Sequence, residues 1–255
     1  MNNTITHSIR GIQDVSVPLQ LADGTGVILR PVARSDREYF RPGLRSMSPA
    51  SRHHRFFSYL PGLSDAQLRY LTEVDQINHV AWVALAAEPT PAAGLGVARF
   101  VRMPEQPAIA EFSFAVIDAM QRKGLGRFLL AMLHLLAAER GVRILRATCL
   151  PENESVVRWL CRLGAQYRGY CEGTIELDLR VERSPDPAAP RGTAAKRFAC
   201  ALDYVGRALA GARQSLPSPG TPLPYTSTNK PNRSLPADPS SPDQQGSTPT
   251  HEETR

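Results

Sequence analysis

Arg127–Arg140 reads Phe-Leu-Leu-Ala-Met-Leu-His-Leu-Leu-Ala-Ala through its middle, a helical stretch with almost no polar face, stopped by Gly141. A helix that is apolar nearly all round must be covered on more than one side, by a sheet and by further neighbours. A strand for such a sheet stands just upstream. Ile109–Ile117 (Ile-Ala-Glu-Phe-Ser-Phe-Ala-Val-Ile) carries β-branched and aromatic residues around one carboxylate, Glu111. Strand, loop and helix therefore form one unit, and the rest of the chain has to supply the remaining sheet.

The joining loop, Gln121-Arg-Lys-Gly-Leu-Gly-Arg127, places two glycines among three cations at a helix entry. Such a loop aims backbone N–H groups and the positive end of the helix dipole at a phosphate. It lacks the Gly-Lys-Ser/Thr ending of a nucleoside triphosphate loop and the third glycine of a dinucleotide fingerprint. Spacing alone leaves two readings open: a phosphate cradle, or glycines that merely turn a strand into a helix.

Val15–Leu21 and Gly26–Pro31 read as a hairpin about Asp23-Gly24. Ser35 with Glu38 three residues on is a capping box, which predicts a helix from Ser35 to about Arg45. Ser48-Pro49 opens a second helix through Phe56, and Ser64 caps a third over Asp65–Thr72. His79–Ala87 and Gly94–Val101 are strands. Beyond the long helix come a strand at Ile144–Leu150, a helix at Glu154–Leu163, and a closing hairpin of Gln166–Cys171 with Thr174–Val181 around Glu172-Gly173.

The order ββααα-βββ-α-β-α-ββ predicts an α/β fold over residues 15–182, a mixed central sheet flanked by helices. Around this domain the sequence predicts a flexible lead-in at 1–14, a Pro-rich linker at 183–192, an amphipathic helix at 193–214 and a disordered tail at 215–255. Phe198, Leu202, Val205 and Leu209 form one stripe on that helix, suited to a partner, a membrane surface or the domain itself.

Of the 22 prolines most follow Ser184, which argues for one domain and a tail rather than two domains, while 42% hydrophobic content supports a core. The net charge of +6 suits an anionic ligand. It does not argue for nucleic acid, because the charge is dispersed and the aromatics are not interleaved with it. The 4 cysteines form no Cys-x-x-Cys pair and have no metal-like spacing with histidine, so they read as reduced thiols of a cytoplasmic protein without a metal site. Met1–Gln13 lacks a signal-peptide core, and no run approaches the roughly 20 apolar residues of a spanning helix.

Glu111-Phe-Ser-Phe-Ala-Val, the Gln121–Leu130 loop and helix start, Arg140-Gly-Val-Arg, Leu150-Pro-Glu-Asn and Leu163-Gly164 together resemble the GCN5-related N-acetyltransferase (GNAT) family, over about Val17–Arg180. The resemblance implies the GNAT fold and acetyl-CoA as cosubstrate. It implies that the backbone of Gln121, Arg122, Lys123, Gly124, Leu125, Gly126 and Arg127 holds the pyrophosphate. Val116 and Ile117 would meet the pantetheine arm through their backbone. Asn153 matches a position whose side chain reaches that arm, yet it also stands where an N-cap belongs, and both readings remain. Asp23-Gly-Thr-x-Val-Ile-Leu-Arg-Pro-Val, Ser48-Pro-Ala-Ser-Arg-His-His-Arg-Phe-Phe-Ser58 and Ala110-Glu111-Phe112 resemble the acetyltransferase domain of bacterial protein lysine acetyltransferases.

Acetyl transfer needs a neutral amine, and a lysine of pKa about 10.4 is less than about 0.1% neutral at pH 7, a deficit of roughly 4–5 kcal/mol. A positioned base is therefore useful, and Glu111 is the candidate, flanked in sequence by apolar residues that would raise its pKa. The resemblance implies the same role. Where the family often supplies an acidic tyrosine this chain has Leu160; Tyr167 and Tyr170 lie beyond the helix, and the thiolate leaves without an assigned acid. His79 reads as a structural histidine, with a second base or an acceptor-side contact as the alternative, and Arg52-His-His-Arg55 as a solvated face, with an acceptor-side wall as the alternative. The acceptor is a protein lysine or a small-molecule amine. From a different class, a non-catalytic acyl-CoA sensor with a partner-binding tail also fits.

Overall fold

The computed structural model describes residues 15–88, 93–182 and 192–214. The expected lead-in, nearly all of the linker and the tail from 215 lie outside the described residues. The strands are β1 (Val17–Gln20), β2 (Gly26–Pro31), β3 (His79–Ala86), β4 (Gly94–Arg102), β5 (Ile109–Val116), β6 (Ile144–Cys149), β7 (Gln166–Cys171) and β8 (Thr174–Arg180). The helices are α1 (Arg37–Arg45), α2 (Pro49–Phe56), α3 (Asp65–Thr72), α4 (Leu125–Glu139), α5 (Glu154–Arg162) and α6 (Thr193–Gln214). This is the mixed α/β order that the sequence predicts.

The strands form one sheet in the order β1-β2-β3-β4-β5-β6-β8-β7. Every neighbouring pair is antiparallel except β5 with β6, which are parallel and need the crossover that α4 provides. β3 is covered on both faces: Val80, Trp82, Ala84 and Ala86 join the core beneath α4, while Ala81, Val83 and Leu85 pack under α1 with Val32, Tyr39 and Phe40. The sheet is thus the middle of three layers, with α1–α3 on one side and α4 on the other.

α4 has the two covers that its composition demands. Leu125, Leu129, Leu130, Met132, Leu133 and Leu136 are all fully buried. The sheet lies on one side, and on another α6 packs with Phe198, Ala201, Leu202, Val205 and Leu209, each no more than 7% exposed. The stripe on α6 is therefore occupied by the domain itself. Arg213 clamps Glu139 at the end of α4 through two bonds of 2.7 and 2.9 Å, and Tyr204 donates to the Pro18 carbonyl at 3.3 Å.

Local signals account for most boundaries. Ser48 caps α2 by accepting the Ser51 amide at 3.2 Å, with Pro49 in the first turn. Ser64 and Gln67 exchange a full capping box at the start of α3. The β7–β8 hairpin turns at Glu172 (φ 48°) and Gly173 (φ 80°), the paired left-handed residues of a tight two-residue turn.

The Ser35–Glu38 box does not form. A single 3-10 turn at Arg34–Asp36 precedes α1, and Asp36 takes the capping role, accepting the Ala33 amide at 2.8 Å. Its carboxylate is fully buried and also receives Arg30 of β2 through bonds of 2.8 and 2.5 Å. A buried carboxylate must be fully bonded, and Arg30 is placed by the sheet, so the tertiary ion pair decides which residue caps.

Candidate acyl-CoA cleft

β5 and β6 share register only at Ile109↔Ile144, Ala110↔Leu145 and Glu111↔Arg146. Beyond that point β5 stays paired with β4 as far as Val116, and β6 stays paired with β8 as far as Cys149. The two strands therefore part at their C-terminal ends and open a wedge in the sheet. Such openings beside the carboxyl ends of parallel strands are where α/β proteins place ligands. A cleft of about 1110 Å³ runs through the wedge, with Glu111 near its closed end and the loop before α4 at the other.

The loop is built by backbone conformation. Arg122 (φ 61°) and Gly124 (φ 95°) are left-handed, and α4 starts directly after Gly124. The left-handed φ of Gly124 is the reason this position favours glycine; a Cβ there would lie 3.1 Å from the tip of the flexible Arg127 side chain, which can shift. The Arg127 amide turns back to the Gly124 carbonyl at 3.1 Å. Helix geometry leaves the Leu125 and Gly126 amides without intrahelical acceptors, and Gly124 and Gly126 face the cleft.

Val116, Gln121, Arg122, Arg127 and Asn153 also line the cleft. The Gln121 side chain does not point along it. Its amide nitrogen lies 3.2 Å from the Val116 carbonyl, 2.7 Å from Asp118 and 3.0 Å from Ser51, a strut between β5, the loop and α2. Asp118 completes that strut by accepting the Ser48 amide at 2.6 Å and the Ser51 hydroxyl at 2.5 Å. Desolvation works against its charge, but the bonds from Ser51 and Ser48 outweigh it and hold the Asp118 carboxyl below the usual range.

The side chains of Ile117, Lys123 and Leu125 lie elsewhere. Ile117 packs against the main core, Leu125 is fully buried within it, and Lys123 pairs with Asp23 of the β1–β2 turn at 2.9 Å. Asn153 occupies the N-cap position of α5, but its side chain makes no capping bond and is left facing the cleft.

Glu111 is exposed within the wedge and forms no ion pair with any described residue. The neighbouring Arg146 is engaged by Asp178 through bonds of 2.7 and 2.9 Å. The apolar setting expected from Phe112 and Phe114 is not found around the carboxylate. Strand residues alternate, so those rings point to the opposite face, where Phe112 joins the α4 core.

The basic run on α2 is not a uniform solvated face. Arg52 donates to the Met47 carbonyl at 3.0 Å, His53 stacks on Tyr59, and His54 and Arg55 line the cleft. His79 stands behind Arg99, with its Nε2 3.0 Å from Nη1 of that arginine. Burial first, and then the Arg99 charge, bring His79 down to about 4, so the neutral ring accepts this bond. Tyr167 and Tyr170 lie on the outermost strand, 61% and 63% exposed, away from the cleft.

Sequence reasoning missed Tyr70, Arg99 and Arg197, which also line the cleft. Arg99 left a signal, a charge in the middle of a strand that is otherwise apolar up to Arg102 at its end. Arg197 left none, since only the docking of α6 brings it beside Arg127. Burial and the Arg197 charge lower the Arg127 pKa, and the Arg127 Nε is buried without a partner. Arg122, Arg127 and Arg197 form no ion pair among the described residues, which leaves a cationic rim beside the free amides of α4.

Residues 27–166 match the family model described as acetyltransferase (GNAT) domain. Acetyltransferase Pat of Mycolicibacterium smegmatis is 34% identical over 165 residues, which cover 65% of this chain and 49% of that protein. The chain thus spans about half the length of Pat. Acetyltransferase PA5475 of Pseudomonas aeruginosa is 32% identical over 146 residues, 56% of this chain and 77% of that protein. The crystal structure of the GNAT domain of S. lividans PAT aligns at a TM-score of 0.59 and 26% identity, covering 65% of this chain and 96% of that domain. No described helix is long and apolar enough to cross a membrane. The family match takes in more than half of the chain, with Glu111, the glycine loop and Asn153 inside it, and the chain belongs to the GNAT acetyltransferase family.

Proposed function

We propose that this acetyltransferase moves an acetyl group from acetyl-CoA to the side-chain amine of a protein lysine by direct attack, with Glu111 as general base. The observation that carries the reading is the wedge between β5 and β6, with an unpaired carboxylate at one end and the glycine loop and helix start with free amides at the other. From Glu111 to Val116 an extended strand rises roughly 17 Å. That is of the order of an extended pantetheine arm, so a cofactor anchored by its phosphates at Gly124–Arg127 would bring its thioester towards Glu111.

In this reading the Leu125 and Gly126 amides and the cationic rim of Arg122, Arg127 and Arg197 hold the pyrophosphate. Gln121 acts as a strut for the loop and not as a direct phosphate ligand. Backbone groups of β5 beyond Glu111, which β6 does not pair, meet the arm and the thioester carbonyl, and Asn153 reaches the arm from the start of α5. Glu111 takes the proton from the ammonium. The neutral amine attacks the carbonyl and the C–N bond forms; as the C–S bond breaks, coenzyme A leaves as a thiolate, and the second proton of the amine nitrogen passes to that thiolate through water. A thiol pKa of about 8.5 makes that departure tolerable without a dedicated acid.

Lysine is preferred as acceptor on the resemblance of the Asp23–Val32, Ser48–Ser58 and Ala110–Phe112 segments to the acetyltransferase domain of bacterial protein lysine acetyltransferases. The sensor reading, with a partner-binding tail, loses the apolar stripe of α6 as a free docking surface, because that stripe is buried against α4. Glu111→Gln tests the mechanism. Acetyl-CoA affinity should be unchanged while turnover on a lysine peptide falls by ~10²-fold or more. Unchanged turnover would remove Glu111 from the chemistry.

A further inference from the structure

Two arginines on the acceptor side of the cleft form no ion pair with any described carboxylate, although Glu111, Glu152 and Glu154 line the same cleft. β4 contributes Arg99, 4% exposed, and α2 contributes the partly buried Arg55, and both line the cleft. Arg99 is held from behind. Its Nη1 donates to His79 Nε2 at 3.0 Å and its Nη2 to the Leu71 carbonyl in the last turn of α3 at 3.1 Å, while its Nε is buried without a partner.

Arg55 is different: it makes no hydrogen bond or ion pair with any described residue, and its guanidinium lies 4.9 Å from the Phe56 ring centre. Burial lowers the pKa of both arginines, and the charge of Arg55 lowers that of Arg99 further, so the two repel across a partly dry wall. Both guanidinium groups also feel the nearby Tyr70 phenol.

The register fixes where this charge stands relative to the chemistry. Arg99 pairs with Ser113 and Val101 with Glu111, so Arg99 and Glu111 share a face of the sheet, one strand and two residues apart. Residues two apart along β5 are separated by roughly 7 Å. An amine at Glu111 therefore sits within about one residue's reach of Arg99, whose charge is felt together with that of Arg55 on the same cleft wall.

Resting on the lysine reading above, we propose that the acceptor lysine is flanked by an acidic residue, and that Arg55 receives this carboxylate with Arg99 as the charge behind it. A planar guanidinium with free N–H groups matches a carboxylate through two parallel bonds, and the incoming negative charge relieves the repulsion between the arginines. The same wall selects against polyamines and against lysines with cationic neighbours, which would meet like charge in a cleft of reduced dielectric.

The test uses the full chain with saturating acetyl-CoA and matched lysine peptides in which one residue next to the lysine is Glu, Ala or Arg. Wild type should favour the Glu peptide over the Ala peptide by about tenfold or more in kcat/KM, with the Arg peptide poorest. In Arg55→Gln the Glu and Ala peptides should converge to within about twofold while the KM for acetyl-CoA stays the same, and Arg55→Lys should recover part of the preference. Binding of the same peptides with norleucine in place of lysine, measured in the presence of coenzyme A, reads the subsite without turnover. A Glu preference in binding that disappears in Arg55→Gln supports the subsite even if no peptide is acetylated, an outcome that would refute lysine transfer alone. Equal binding of Glu and Ala peptides by wild type, or a preference that survives Arg55→Gln, overturns the proposal.

Discussion

Removing the Phe198 ring tests whether α6 is a structural part of the domain. Phe198 is 7% exposed and lies between α6 and α4, edge-on to the His134 ring at a centroid distance of 5.8 Å. Truncation of a buried phenylalanine to alanine costs about 3–5 kcal/mol, and loss of the ring pair is part of that cost. Because α6 is a peripheral layer that can settle into the gap, the lower end of the range applies, about 3 kcal/mol. For a domain of this size each kcal/mol moves the thermal midpoint by roughly 2–4 °C, so Phe198→Ala should melt about 6–12 °C below wild type. Circular dichroism measures the shift, and Lys196→Ala, on the exposed side of the same helix, should stay within about 0.5 kcal/mol. Arg197 sits one residue away on the cleft rim, so loosening α6 should also raise the KM for acetyl-CoA. A Phe198→Ala protein that melts within about 2 °C of wild type would refute the docking of α6 on α4.

His79 is neutral in the fold because burial and Arg99 hold it at about 4, against an ordinary value of 6.5. Its contribution to stability is therefore complete above pH 6.5 and is lost as the pH falls towards 4, since the unfolded chain takes up the proton first. Urea midpoints should drop across that window, and His79→Gln should flatten the drop; a variant with the wild-type slope would show that other groups govern it. Cys149 is 6% exposed, and burial pushes its thiol up to about 11, whereas Cys161, Cys171 and Cys200 are exposed. A maleimide should label those three in the native protein and Cys149 only in denaturant; labelling of all four under native conditions would contradict the buried end of β6.

Elements whose ends are set by local chemistry could be read from the sequence almost residue by residue. Ser48-Pro49 and the Ser64–Gln67 box need nothing beyond their own turn, and the helices start where those residues say. The exception shows why. Ser35 and Glu38 satisfy the same local rule, but Asp36 between them reaches Arg30 on β2, and no sequence window announces that a carboxylate will be buried against a strand six residues back. Local rules hold until a contact to a neighbouring element, here Arg30 on β2, fixes a different residue at the helix start.

The cleft divides along the same line. The glycine loop could be read because left-handed residues and a helix start are local, and Gly124 takes the conformation its chemistry invites. Glu111 could be placed on its strand, but its surroundings were inferred from sequence neighbours that the period-2 alternation sends to the opposite face. Arg55 fell inside a basic run whose average character is solvated, while its own position turns into the cleft beside an arginine 44 residues away in sequence.

The helix with no polar face carried the most long-range information. Its composition required a second cover beyond the sheet, and the apolar stripe on Phe198, Leu202, Val205 and Leu209 supplies it. The two features answer each other, which makes α6 a part of the cleft's construction and brings Arg197 to its rim. A helix beyond the residues matched by the family model thereby gains influence over a site that lies within them.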